Sequence, residues 1–205
     1  MSPILSVLVN FSSRAYDMHE GKRIPLFERT FPFLVNTLNQ TKVDAEIIIL
    51  DSTPAGDPRG LGDWCVDRRL RIVKNDVEFN RGAGRAKLGE LASGEILYWM
   101  DADMIVPPQV ITRGIVFARQ GQAYYPLYDF EHMPGDLTRY SEGNGTGNLI
   151  IQREIYDISP KWPTDMNGWG GEDTKLAHWF KIHGMVFREH IPGFIHLWHP
   201  KGDKP

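Results

Sequence analysis

One cysteine in 205 residues leaves no partner for an internal disulfide and excludes a multi-cysteine zinc site. A lone Cys65 suits a reducing compartment. Basic charge is not in excess either: 23 Lys and Arg stand against 26 Asp and Glu, a formal net charge of -3. Without a Lys/Arg block, nucleic-acid binding driven by bulk charge is excluded, and only a local patch stays open. No apolar run approaches the roughly 18 residues of a membrane span. The opening Ser2-Pro3-Ile4-Leu5 has no basic stretch before its apolar run, so no signal peptide is expected. Neither internal repeats nor low-complexity linkers occur. A cytoplasmic protein with no membrane span is the expectation.

What is present reads as globular: 41% hydrophobic and 11% aromatic residues, in a length suited to one domain over 1–205. Short apolar runs recur at Ile4 to Val9, Glu46 to Leu50, Leu70 to Val73 and Glu95 to Met100. Runs without polar alternation fit strands buried on both faces, hence a mostly parallel sheet. Helical stretches lie between them. Thr30 reads as the cap of a helix that holds Pro32 and runs to about Asn39. Gly82 to Ala92 and Pro107 to Gln120 are the next two. The alternation predicts an α/β fold whose ligands sit beyond the carboxyl ends of the strands. Those ends carry Asn10-Phe11-Ser12, Asp51-Ser52-Thr53 and Asp101-Ala102-Asp103. The second half is less regular. Gln122 to Glu131 is an aromatic strand, a glycine-rich loop leads into a strand over Asn148 to Gln152, and a helix follows Gly171 to about His183.

Four groups of residues carry chemistry. Asp101-x-Asp103 follows a buried strand, and two carboxylates at such a turn can hold one hard cation, Mg²⁺ or Mn²⁺. The plain alternative is an aspartate capping a turn. Gly168-Trp169-Gly170-Gly171-Glu172-Asp173 offers an indole face for a sugar, with two carboxylates in the first turn of a helix. The alternative is an acidic helix start; the sharper reading is a general base at an acceptor hydroxyl. His196 and His199 flank Leu197-Trp198; strand alternation need not put them on one face, yet imidazole beside an Asp-x-Asp motif favours Mn²⁺. Asn80 to Lys87 holds three cations and two glycines: either a solvated helix start, or a phosphate or uracil contact from Arg85 or Lys87. No Gly-Lys-Ser/Thr occurs, so a Walker-type ATP site is unsupported.

These motifs, in this order, resemble those of the GT-A glycosyltransferases over most of the chain. Val7-Leu8-Val9-Asn10-Phe11 matches their first nucleotide-contacting strand, and Glu46 to Ser52 their second, whose terminal Asp touches uridine. Ala92 to Asp103 is similar to the segment leading into their DxD motif. Gly168 to Asp173 is similar to the sugar-site motif of animal β4-galactosyltransferases, bacterial chondroitin polymerase and polypeptide N-acetylgalactosaminyltransferases. The resemblance implies a GT-A fold, a mostly parallel central sheet flanked by helices with a smaller antiparallel acceptor-side portion. It implies a nucleotide-sugar-binding half over 1–105 and an acceptor and sugar-site half over 106–205. Residue by residue, Asp103 would chelate the metal and Asp101 would take the ribose or the metal shell. His196 would complete the metal site, with His199 as the fallback. Asn10 and Asp51 would meet the nucleotide, Arg85 and Lys87 the phosphate or uracil, and Trp169, Gly170 and Gly171 the sugar. Glu172 would bind sugar hydroxyls and Asp173 would be the catalytic base.

The implied reaction is metal-dependent transfer of a hexose-type unit from a UDP-sugar to a hydroxyl, with Mn²⁺ or Mg²⁺. Retaining relatives with the same Trp-Gly-Gly-Glu stretch carry Asn where Asp173 stands, which favours inversion. Two rivals remain. A sugar-nucleotide nucleotidyltransferase usually has a glycine-rich loop after its first strand, where this chain has Asn10-Phe11-Ser12-Ser13-Arg14. A non-catalytic nucleotide-sugar-binding module has no need of Asp101, Asp103, Glu172, Asp173 and His196 together. The acceptor is open among a saccharide, a small molecule, a lipid-linked sugar, a protein and a modified DNA base.

Overall fold

The protein is known from a computed structural model that describes residues 2–12, 16–19, 22–57, 60–77, 79–133, 136–139, 146–165 and 171–199. In chain order its elements begin with β1 (Leu5–Phe11), β2 (Tyr16–His19), β3 (Lys22–Pro25), α1 (Leu26–Thr41), β4 (Ala45–Asp51) and β5 (Leu70–Lys74). Then come α2 (Arg81–Leu91), β6 (Ile96–Met100), β7 (Met104–Ile105), α3 (Pro108–Arg119) and β8 (Ala123–Met133). The chain closes with β9 (Asp136–Arg139), β10 (Leu149–Gln152), α4 (Arg153–Ile158), α5 (Glu172–Ile182) and β11 (Val186–His196).

The continuous apolar runs become the centre of one sheet, ordered β5-β4-β1-β6-β10-β8-β11-β7 among the described residues. β5, β4, β1 and β6 are parallel, with Val7 opposite both Ile47 and Tyr98, and Val9 opposite Ile49 and Met100. Beyond β6 the sheet turns mixed: β10 is antiparallel to β6 and to β8, and β11 is parallel to β8 but antiparallel to β7. This is the expected α/β sheet, parallel first and mixed in the second half.

Successive strand residues serve opposite layers. Val7, Val9, Ile47, Ile49, Tyr98 and Met100 pack with Phe27, Phe31 and Leu34 of α1 and Val110 and Ile111 of α3. Leu8, Ile48, Leu50, Leu97 and Trp99 pack with Leu88 of α2, Tyr156 of α4 and Leu176 and Phe180 of α5. Trp99 anchors the second layer. It is fully buried, its ring lies 4.6 Å from Tyr156 and 5.7 Å from Trp162, and its indole N–H donates to Arg85 O at 2.9 Å.

One local expectation needs correction. Thr30 does not start a helix: α1 opens at Leu26, and Thr30 is buried inside it, donating its hydroxyl to Ala102 O at 2.6 Å. A polar residue ahead of an apolar stretch resembles a cap, but here its partner is a carbonyl 72 residues away. The hairpin β2–β3 and the two-residue β7 were not anticipated, and α4 follows β10 without a loop. The last strand starts at Val186 and ends at His196, so side-chain alternation stops before His199.

Candidate active site

β6 carries the chain out of the core through Met100 and releases Asp101 and Asp103 at the carboxyl edge of the parallel strands. The short β7 that follows pairs with β11, setting Met104 opposite His196, and Leu197 N–H donates to Asp103 O at 2.9 Å. That pairing brings the two ends of a long sequence separation together. Asp103 Oδ2 lies 3.3 Å from His196 Nε2 and 3.4 Å from His199 Nε2. The ligand atoms of the three residues lie within 4.8 Å of one another, the one such convergence among the described residues. Both histidines reach Asp103 because the strand ends at His196 and side-chain alternation no longer applies at His199. Tyr128 stacks on His196 at 5.6 Å and Phe130 packs at 4.6 Å, fixing the ring. Glu131, buried, accepts from Trp198 N–H at 3.1 Å and ties down the segment that carries His199.

This group fits a divalent cation. Asp103 Oδ1 and His196 Nδ1 are buried with no hydrogen-bond partner, and a buried polar atom without a partner is costly unless something satisfies it. One carboxylate with two imidazoles suits Mn²⁺ better than Mg²⁺. Burial alone would push the Asp103 carboxyl up; His196 and then His199 outweigh it and hold it well below the usual carboxylate range.

Asp101 points elsewhere. Its Oδ1 takes Arg85 Nη2 at 2.7 Å, and its backbone N–H donates to Asn148 Oδ1 at 3.3 Å. The Arg85 guanidinium lies 4.6 Å over the Trp162 ring. Arg85 is thus a buried partner of Asp101 on the inner face of α2. Gly147 closes the pair from the other side: a Cβ there would lie 2.5 Å from Asp101 Oδ2 and 3.2 Å from Arg85 Nη2. A side chain there would push the Asp101 carboxylate out of its place against Arg85.

α5 begins at the same edge. Gly171, at φ 98, turns the chain into the helix in a conformation that favours glycine. Glu172 is buried, and its Oε1 lies 3.7 Å from Arg81 Nε with no hydrogen-bond partner. Asp173 is half-buried. Its Oδ2 accepts from Thr146 Oγ1 at 2.7 Å, and its Oδ1 from Thr174 N–H at 2.7 Å. Tyr125, buried on β8 with an unpartnered hydroxyl, has its phenol pushed well above the ordinary range, by burial first and then by the Asp173 charge.

Arg81 organises these acids, and sequence reasoning passed over it. It opens α2, whose cap is Asn80, accepting from Ala83 N–H at 2.8 Å. Burial opposes its charge, but Asp101, Glu172, Asp103 and Asp173 together outweigh burial and raise its pKa. The available signal was the cap: a helix capped by Asn80 puts Arg81 in a first turn facing the strand ends. Thr146 and Tyr125 had no sequence signal.

The remaining expected residues are placed less directly. Asn10 donates its amide to Asn80 O at 3.2 Å, so it anchors the start of α2. Asp51 is buried at the end of β4, accepting from Thr53 N–H at 2.9 Å and pairing with Lys74. Lys87 sits two residues past Arg85, on the outer face of α2, exposed and 3.7 Å from Glu90; it does not join the convergence. Trp169 and Gly170 lie outside the described residues.

Comparison with known proteins bears on the same region. Residues 24–170 match Glycosyl transferase family 2. Human chondroitin sulfate N-acetylgalactosaminyltransferase 2 is 26% identical over 155 residues, 63% of this chain and 28% of that protein. Mouse chondroitin sulfate N-acetylgalactosaminyltransferase 1 is 23% identical over 158 residues, 65% of this chain and 30% of that protein. The chain thus spans under a third of the length of these curated relatives. The crystal structure of the catalytic domain of Drosophila beta1,4galactosyltransferase 7, in complex with xylobiose, superposes at TM-score 0.60 and 17% identity, covering 94% of this chain and 67% of that one. The likeness establishes the GT-A fold. The family match stops at residue 170, before Glu172, Asp173, His196 and His199.

Proposed function

The chain belongs to glycosyl transferase family 2 and is a glycosyltransferase, and from that premise we propose that it moves a sugar from a UDP-sugar to an acceptor hydroxyl, with a divalent cation and with inversion. The observation that carries this reading is the meeting of Asp103, His196 and His199 with Arg81, Glu172 and Asp173 at one edge of the sheet.

Asp103, His196 and His199 would hold the cation, Mn²⁺ ahead of Mg²⁺. A bound cation offsets the charge that builds on the diphosphate as it leaves. Arg81 adds a planar fork of donors suited to phosphate oxygens. Asp101, fixed by Arg85, faces the ribose, and Asn10 and Asp51 border the uridine at the ends of β1 and β4. Glu172 receives a sugar hydroxyl. Asp173 takes the proton of the attacking hydroxyl as its oxygen bonds to the anomeric carbon. The bond from that carbon to the diphosphate oxygen breaks, and its electron pair leaves with UDP. One base opposite the leaving group inverts the anomeric centre, as in inverting glycosidases. Residues 1–105 supply the donor side, and residues 106–205 supply the base and the histidines.

For the acceptor, a saccharide hydroxyl is favoured. The printed names of the relatives concern chondroitin sulfate, and the structural neighbour is a complex with xylobiose. No helix among the described residues is long and apolar enough to cross a membrane. A free, buried Cys65 supports a cytoplasmic setting. The test is UDP release with Mn²⁺ over a panel of UDP-sugars, UDP-N-acetylgalactosamine and UDP-galactose first. NMR of the product anomer accompanies it. Turnover with an inverted anomer is expected; formation of UTP and a sugar 1-phosphate when pyrophosphate is added, in place of UDP release, or UDP binding without turnover of any donor, would replace this reading by one of its rivals.

A further inference from the structure

The segment Thr146-Gly147-Asn148 touches both sides of the site. It enters β10 just before Leu149, which pairs with Trp99 of β6, so it runs beside the exit of β6 toward Asp101. Asn148, fully buried, accepts from the Asp101 N–H at 3.3 Å. Gly147 lies against Asp101 and Arg85 so closely that a side chain there would push the Asp101 carboxylate out of its place. Thr146 reaches the other way, donating from Oγ1 to Asp173 Oδ2 at 2.7 Å across 27 residues. Asp173 is otherwise held by its own helix, through the Thr174 N–H at 2.7 Å and Thr174 Oγ1 at 3.4 Å, both on Oδ1. Among the described residues, Thr146 thus makes the hydrogen bond that links Asp173 on α5 to the strand that abuts Asp101.

We propose that Thr146 is a positioning residue, its hydroxyl fixing the Asp173 carboxylate in register with the Asp101 side of the donor site. This rests on the reading of Asp173 as the base. A carboxylate has two lone pairs on each oxygen. The Thr146 hydroxyl on Oδ2, with the Thr174 amide and hydroxyl on Oδ1, fixes the carboxylate plane and leaves a lone pair on Oδ2 for a proton. Loss of the hydroxyl frees the side chain to rotate. A base misplaced by 1 Å costs on the order of 10²-fold in rate. Because Thr146 makes no hydrogen bond to Arg81 or to the Asp103 triad among the described residues, its loss falls on the transfer step rather than on UDP binding.

The experiment compares Thr146→Val, which keeps the β-branched shape and removes the donor, with Thr146→Ser, which keeps the donor. The readouts are kcat and KM for UDP release from the best UDP-sugar, UDP affinity with Mn²⁺, and melting temperature. Thr146→Val should lower kcat by about 10- to 100-fold with KM and UDP affinity unchanged, and Thr146→Ser should stay within about threefold of the wild type. In an Asp173→Asn background, Thr146→Val should have little further effect. Normal kcat in Thr146→Val, with Asp173→Asn crippled, overturns the positioning role and leaves the base standing. Near-normal turnover in Asp173→Asn overturns the base itself. A loss in Thr146→Val that appears in UDP affinity, or that Thr146→Ser shares, makes Thr146 structural and contradicts the proposal. Independently of activity, Thr146→Val and Asp173→Ala should be non-additive in unfolding; strict additivity would mean the contact is not made.

Discussion

Replacing Arg85 with Met separates two roles for this cation. In the structure it is a buried partner of Asp101; in the sequence it also reads as a phosphate contact. Its side chain is 4% exposed, and that of Asp101 is 27% exposed. Breaking a fully buried pair costs about 3–5 kcal/mol, and breaking an exposed one costs less than about 1 kcal/mol. Asp101 keeps some water, so the lost pair is worth about 2 kcal/mol here. The guanidinium over Trp162 adds about 1 kcal/mol, part of which the Met side chain replaces by packing. A total of about 2–3 kcal/mol corresponds to a fall of about 4–12 °C in melting temperature for a chain of this size. The assay is thermal unfolding with and without UDP and Mn²⁺, beside UDP titration at 25 °C. UDP affinity should change by less than about tenfold, since Arg85 acts through Asp101. Arg85→Met with Asp101→Asn should recover much of the melting temperature, because the lone buried charge is gone. A melting temperature within about 2 °C of the wild type, with UDP affinity down more than about 100-fold, would refute this reasoning and make Arg85 a phosphate ligand.

Asp173→Asn should keep the fold and UDP affinity while turnover falls by about 10²–10⁴, the range for a lost general base; an Asn variant at near-wild-type rate would show that Asp173 only supports the first turn of α5. Glu172→Gln should lower sugar affinity along with rate, seen as a raised donor KM. The Cys65 thiol, pushed up to about 12 by burial and then by Asp51, should resist iodoacetamide at pH 8 and react after unfolding in urea. Its folded pKa lies above its ordinary value of 9.0, so its contribution to stability is present below pH 9 and lost as pH rises toward 12. Fast native alkylation would contradict the burial.

The parallel half of the sheet was legible because continuous apolar runs have one economical use, burial on both faces; β1, β4 and β6 lie where those runs do. Asp101 and Asp103 were legible as the polar ends of such a run. Their division of labour came from the family resemblance and not from the run itself: one carboxylate faces Arg85 and the other two histidines, and that depends on the β7–β11 pairing of only two residues. The choice between His196 and His199 stayed open in the sequence because alternation applies only while a strand continues. Thr30 misled for a related reason, since its partner carbonyl, Ala102 O, comes from another layer. Arg81 looked like one cation among three. Its place appears only when carboxylates from the β6 exit and α5 meet in space.

The most direct measurement is calorimetric titration of UDP into the protein with Mn²⁺, and again with excess chelator. Asp103, His196 and His199 would hold a cation that offsets the charge of the diphosphate. Chelation should therefore lower UDP affinity by at least about 100-fold, added Mn²⁺ should restore it, and Asp103→Ala should show the same loss without rescue by Mn²⁺. Undiminished UDP affinity in chelator, with an intact fold, would contradict that role.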